Sequence, residues 1–120
     1  MRLELVPLPS TDVDRSKAFY VDQVGFNLDH DIEPGNGMRV VQLTPQGSAC
    51  SIVIGVGISD PKAAPVHGLH LVVDDLDTIR HALLGNGVEV SEVSDMGGGV
   101  SYAYFSDPDG NSWALQQISR

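Results

Sequence analysis

The order of elements readable in residues 2–55 recurs in residues 68–118, and that repetition limits the chain to folds built from two like modules. Asp12-Val13-Asp14 in the first half corresponds to Asp75-Leu76-Asp77 in the second. Each stands where alternating, strand-like sequence gives way to a helix with an acidic N-terminus. Gly25-Phe26-Asn27-Leu28 corresponds to Gly87-Val88-Glu89-Val90 with a one-residue slip, and Gly25 is a natural helix stop.

Each half therefore predicts a strand, a capped helix and three further strands. In the first, residues 2–9 alternate but carry Pro7 and Pro9, which confines them to a sheet edge. A helix from Thr11 or Asp12 to near Gly25 follows, then strands over Phe26–Ile32, Met38–Thr44 and Ser48–Gly55. Residues 56–66 show neither period, contain Pro61 and Pro65, and predict a linker. The second half predicts strands over Gly68–Val73, Val88–Val93, Val100–Ser106 and Ser112–Ile118, the last two joined by the dense turn Asp107-Pro108-Asp109-Gly110-Asn111. In its helix Leu76, Ile79 and Leu83 make one apolar stripe. The expectation is one domain over residues 1–120, with module one about 1–55, the linker about 56–66 and module two about 67–120. The expected class is α+β: two tandem βαβββ modules forming a concave mixed-sheet cleft, with helices on the outer face.

A chain of 120 residues can bury a core without disulfides, and its single cysteine, Cys50, can form none internally, which points to a cytoplasmic protein. Cys50 lies in the apolar run Ala49–Ile54 and is expected as a small buried side chain. No stretch approaches the roughly 20 apolar residues that span a bilayer. Sixteen acidic against 7 basic residues give a net charge of −9 with no basic cluster, which argues against nucleic acid and anionic membrane surfaces as partners.

Three motifs in order carry a family likeness: Val13-Asp14-Arg15-Ser16-Lys17-Ala18-Phe19-Tyr20 with Val24-Gly25-Phe26, then His70-Leu71-Val72-Val73-Asp74-Asp75-Leu76-Asp77, and Phe105-Ser106-Asp107-Pro108-Asp109-Gly110-Asn111. Over nearly its whole length the chain resembles the vicinal oxygen chelate superfamily, the glyoxalase, bleomycin resistance protein and extradiol dioxygenase group. The resemblance implies this same fold and a homodimer. It also implies that metal-using members place one His, Glu or Gln ligand on each of four strands, at positions matching Leu5, Val53, Gly68 and Ala114 here. None of these four side chains has a lone pair to donate, so the chain is expected to be a metal-ligand-deficient member with no metal and no cofactor.

Period two sorts the strand faces. It turns Trp113 and Leu115 toward the helices and leaves Ser112, Ala114 and Gln116 for the cleft, with His70 on the strand opening the second half. The expected ligand-binding residues are Gln42, Ser51, His70, Tyr102, Tyr104 and Gln116, and Trp113 is a further candidate for stacking. His70 is the best candidate for a catalytic group, and with His67 and Gln116 it marks where a displaced metal site would sit. Gly97-Gly98-Gly99 is followed by no Gly-Lys-Ser/Thr and is expected as a rim loop. The favoured function is a metal-free protein binding a small organic molecule, sequestering a cationic or aromatic compound. The alternatives are a lyase or isomerase using His70 as acid/base or a displaced metal site, and a dimerisation module whose cleft is vestigial.

Overall fold

Two four-stranded sheets form, each from its own half of the chain, in a computed structural model that describes residues 1–119. The first holds β1 (Leu5–Pro7), β2 (Asn27–Gly35), β3 (Met38–Thr44) and β4 (Ser51–Val56) in the order β1-β4-β3-β2. The second holds β5 (Leu69–Val72), β6 (Ser94–Asp95), β7 (Val100–Ser106) and β8 (Ser112–Ile118) in the order β5-β8-β7-β6. In both, the first strand runs parallel to the last and the remaining pairs are antiparallel. These are the two tandem βαβββ modules the repeat predicts.

Helix α1 (Val13–Ala18) begins where the Asp12 carboxylate accepts the Arg15 N–H at 3.1 Å, and α2 (Leu76–Gly85) begins where Asp75 accepts that of Thr78 at 3.1 Å. Beyond Ala18 the first helix widens into a π turn over Phe19–Val24 and stops at Gly25, whose φ of 94° suits glycine. Phe19 and Tyr20 both end up buried there. They bring the modules together, because Phe19 packs on Phe105, and Tyr20 and Phe26 on Trp113, at ring separations of 5.6–6.3 Å. One core thus serves both sheets, with Val41, Leu43, Ile52 and Ile54 from the first and Ala103, Phe105, Trp113 and Leu115 from the second.

The Asp107–Asn111 turn is part of that junction. Asn111 is fully buried and donates to the Pro9 carbonyl at 3.0 Å, while Asp109 accepts from Thr11, Ser16 and Arg15 at the start of α1. Burial alone pushes the Asp109 carboxyl up, but these donors outweigh it and hold the group below its ordinary range.

Several boundaries differ from expectation. The strand expected over Val88–Val93 does not form; only Ser94 and Asp95 pair with β7. Val88 turns into the core instead, and the Tyr104 N–H goes to the Ser91 hydroxyl at 2.8 Å rather than to a backbone carbonyl, which breaks the ladder. Residues 2–9 yield strand only at 5–7, and β4 starts at Ser51 after a turn in which Ser48 N–H donates to the Pro45 carbonyl. Cys50, ahead of the strand, is therefore half-buried rather than a core residue. The expected turn at Glu33–Gly37 shortens to Gly35-Asn36-Gly37, all with positive φ, so β2 runs on past Ile32.

Candidate functional site

The core uses one face of each sheet, and the other face holds a second set of side chains, of which Ser51, Val53 and Ala114 are themselves buried. In β3, Val41 and Leu43 are buried in the core while Val40, Gln42 and Thr44 lie opposite; in β8, Trp113 and Leu115 are in the core while Ala114 and Gln116 lie opposite. Register then defines two rows on the second sheet. His70, Ala114 and Tyr104 are cross-strand neighbours, and so are Val72, Gln116 and Tyr102.

The rings on this face are ordered. Tyr102 and Tyr104 lie nearly parallel, 14° apart with centroids at 6.1 Å, and His70 meets Tyr102 edge-on at 5.8 Å. Ala114 lies beneath, between the Cα partners His70 and Tyr104. Tyr104 is 47% exposed and Val72 69%, so the surface is aromatic, aliphatic and open. His70 Nδ1 lies 2.7 Å from the Gly68 carbonyl. That oxygen can only accept, so in the neutral ring Nδ1 carries the proton and Nε2 is left with a lone pair. On the far side of His70 and Val72, a groove of about 470 Å³ passes under the free edge of β5, walled by Phe26, Pro45, Ile79 and Leu83.

On the first sheet the open face carries a hydroxyl chain. Thr44 hydrogen-bonds the Asp29 carboxylate and lies 2.6 Å from the Ser51 hydroxyl, which also accepts from Gln42 at 3.4 Å. Since a carboxylate can only accept, Thr44 donates to Asp29, Ser51 donates to Thr44, and Gln42 donates to Ser51. Gln42 and Ser51 were legible by strand phase. Thr44 follows Gln42 by the same phase, but Asp29 was not legible, because the register shift between Leu28 and His30 resets which β2 side chains share this face, and alternation carries no sign of it.

Of the six expected ligand residues, the structure brings His70, Tyr102, Tyr104 and Gln116 together on the second sheet and Gln42 with Ser51 on the first. Among the described residues no strand pairing joins the two sheets, and neither Gln42 nor Ser51 lines the groove that His70 borders. Trp113 is unavailable for stacking on a ligand, since it is 4% exposed and its indole N–H donates to the Tyr20 hydroxyl at 3.0 Å.

Val53 and Ala114, at two of the positions matching metal ligands, are buried but stand outside the core cluster, on the open faces. With Leu5 and Gly68 they supply only hydrocarbon or hydrogen, so the residues present do not fit a metal ion. His67 Nδ1 is taken up with the Ser112 hydroxyl at 2.8 Å. Among the described residues no three His, Cys, Asp or Glu side chains gather closely enough to hold a metal.

The model of the Glyoxalase/Bleomycin resistance protein/Dioxygenase superfamily matches residues 2–115. The chain belongs to this superfamily. Among solved structures it is similar to TnmS3, an antibiotic binding protein from Streptomyces sp. CB03234, at 36% identity over 99% of this chain and 97% of that one, with a TM-score of 0.86. A glyoxalase/bleomycin resistance protein from the same organism is 37% identical over 97% of this chain and 100% of that one, with a TM-score of 0.81. A superfamily member from Sphaerobacter thermophilus DSM 20745 is 26% identical over 98% and 97%, with a TM-score of 0.84. No curated protein matches the chain. Membership in the superfamily accounts for the repeat, the sheet order and the three motifs together, while the chemistry rests on the side chains of the open faces. No helix among the described residues is long and apolar enough to cross a membrane.

Proposed function

We propose that this superfamily member is a cytoplasmic, metal-independent binding protein that sequesters a planar aromatic compound, including cationic ones, in the manner of an antibiotic-binding protein. One observation carries the reading: His70, Tyr102 and Tyr104 present ordered rings around Ala114, at a position where a metal enzyme of this superfamily would need a donor atom. The likeness to TnmS3 over nearly the full length supports it. The net charge of −9 disfavours anionic ligands, and the Asp29 carboxylate gives the first open face a fixed negative end.

The second open face alone is too exposed to enclose a ligand, with Tyr104 47% and Val72 69% exposed. The outer edges of β1 and β5 are unpaired in their sheets, and Leu3, Leu5 and Val72 lie exposed on or beside them. In the proposed homodimer the first sheet of one copy meets the second sheet of the other along these edges, and the two kinds of open face together wall each cleft.

Calorimetric titration with a panel of aromatic antibiotics tests the function. Binding that persists in EDTA supports it; binding that appears only with an added divalent ion overturns metal independence. The Nε2 of His70, which has no protein partner among the described residues, favours the alternative, acid/base catalysis. Turnover of a bound compound that stops on His70→Ala while binding persists would establish an enzyme instead.

A further inference from the structure

We infer that the second open face selects hydroxyaromatic ligands, with a neutral phenolic O–H donating to His70 Nε2 while the ring lies against Tyr102 and Tyr104. The inference rests on the proposed binding function and names its ligand class. Three observations support it independently of any family member. Nδ1 of His70 is committed to the Gly68 carbonyl, which fixes Nε2 of the neutral ring as an acceptor with no protein partner among the described residues. The imidazole is in edge-on contact with Tyr102, 5.8 Å between centroids, and Tyr102 lies nearly parallel to Tyr104, so the acceptor-bearing ring adjoins a surface suited to a flat aromatic body. His70 also lines the neighbouring groove, whose walls are mostly hydrocarbon with Gln46 and Ser48 as its other polar side chains, so its imidazole is shared by the groove and the tyrosine face.

The polarity of the contact sets the selectivity. A phenol has the proton Nε2 needs; a methyl ether of the same shape does not, and a phenolate would bring a lone pair against a lone pair. A site built to accept a hydrogen bond rejects the analogue lacking the donor, because the imidazole would lose its water and gain nothing.

The test uses the full chain with 2-naphthol and 2-methoxynaphthalene as probes, titrated by calorimetry or ligand fluorescence at one pH. The expected result is five- to tenfold tighter binding of 2-naphthol, the size of one neutral hydrogen bond, roughly. His70→Phe keeps an aromatic ring at an exposed position and removes the acceptor, so it should reduce 2-naphthol to the level of the ether. His70→Gln, which can again offer an oxygen, should restore part of the preference. Equal binding of the two probes by the wild type, or a preference unchanged in His70→Phe, overturns the phenol assignment and leaves the aromatic-binding function standing. Failure of the wild type to bind either probe overturns both.

Discussion

The Tyr20 hydroxyl donates to Asp107 at 2.7 Å, joining the π turn of the first module to the Asp-Pro-Asp-Gly-Asn turn of the second. The same oxygen accepts from the Trp113 indole at 3.0 Å. Burial of the phenol, reinforced by the neighbouring Asp107 charge, holds its proton far more tightly than usual, so Tyr20 stays a donor at any working pH. Tyr20→Phe removes both hydrogen bonds without changing the packed ring and leaves Asp107 and Trp113 each short of a partner. A loss of about 2–3 kcal/mol in urea unfolding is expected. Probe binding to the folded variant should be unchanged, since neither open face includes Tyr20.

The Asp109 contacts predict an acid limb. Its folded carboxyl titrates below the ordinary range, and so does that of Asp31, through the hydrogen bonds from Arg39 and Lys17. As pH falls, the unfolded chain takes up these protons first, near the ordinary value of about 3.9, and stability falls with it. Stability should therefore hold above pH ~5 and decline below pH ~4. Asp109→Asn should flatten part of that decline and cost about 1–2 kcal/mol at neutral pH. An acid limb identical to wild type would mean that Thr11, Ser16 and Arg15 do not bind the charged form preferentially.

The edges of β1 and β5 predict the effect of charge on assembly. Val72 is on the edge strand β5, 69% exposed, and close to where the proposed partner's β1 would run. Val72→Glu adds an unpaired carboxylate to a contact between two chains that already carry −9 each. Sedimentation should show at least a roughly tenfold weaker dimer, an effect of about 1.4 kcal/mol. Aromatic-ligand affinity should fall with it. Monomeric wild type with full ligand affinity would instead assign the site to a single chain.

Much of this architecture was legible because it is written twice. Asp12 and Asp75 cap their helices as the repeat indicates, and strand phase separated Trp113 and Leu115 from Ala114 and Gln116. What was not legible depends on contacts made by individual side chains. Ser91 displaces a ladder hydrogen bond that Val88–Val93 would have made, and nothing in the alternation of that stretch announces it. Likewise a one-residue irregularity in β2 puts Asp29 beside Thr44. Strand phase also sorts side chains by face without saying whether two faces meet, so Gln42 and Ser51 came out on a different surface from His70 and Tyr102.

That missed carboxylate supplies the last prediction. The chain Gln42 to Ser51 to Thr44 to Asp29 has its direction fixed by the acceptor at its end, so Gln42 turns its amide nitrogen to Ser51, and its oxygen has no hydrogen-bond partner among the described residues and can meet a ligand donor. Asp29→Asn takes away the charge and supplies a group that can itself donate, which permits the whole chain to reverse and Gln42 to flip. A planar cation such as 9-aminoacridine should then bind several-fold more weakly, by about 0.5–1 kcal/mol for one solvent-accessible charge, with the loss shrinking as salt is raised. Neutral 2-naphthol, held on the second sheet, should be unaffected. Equal losses for both probes would show that Asp29 supports the shape of the first sheet rather than the recognition of charge.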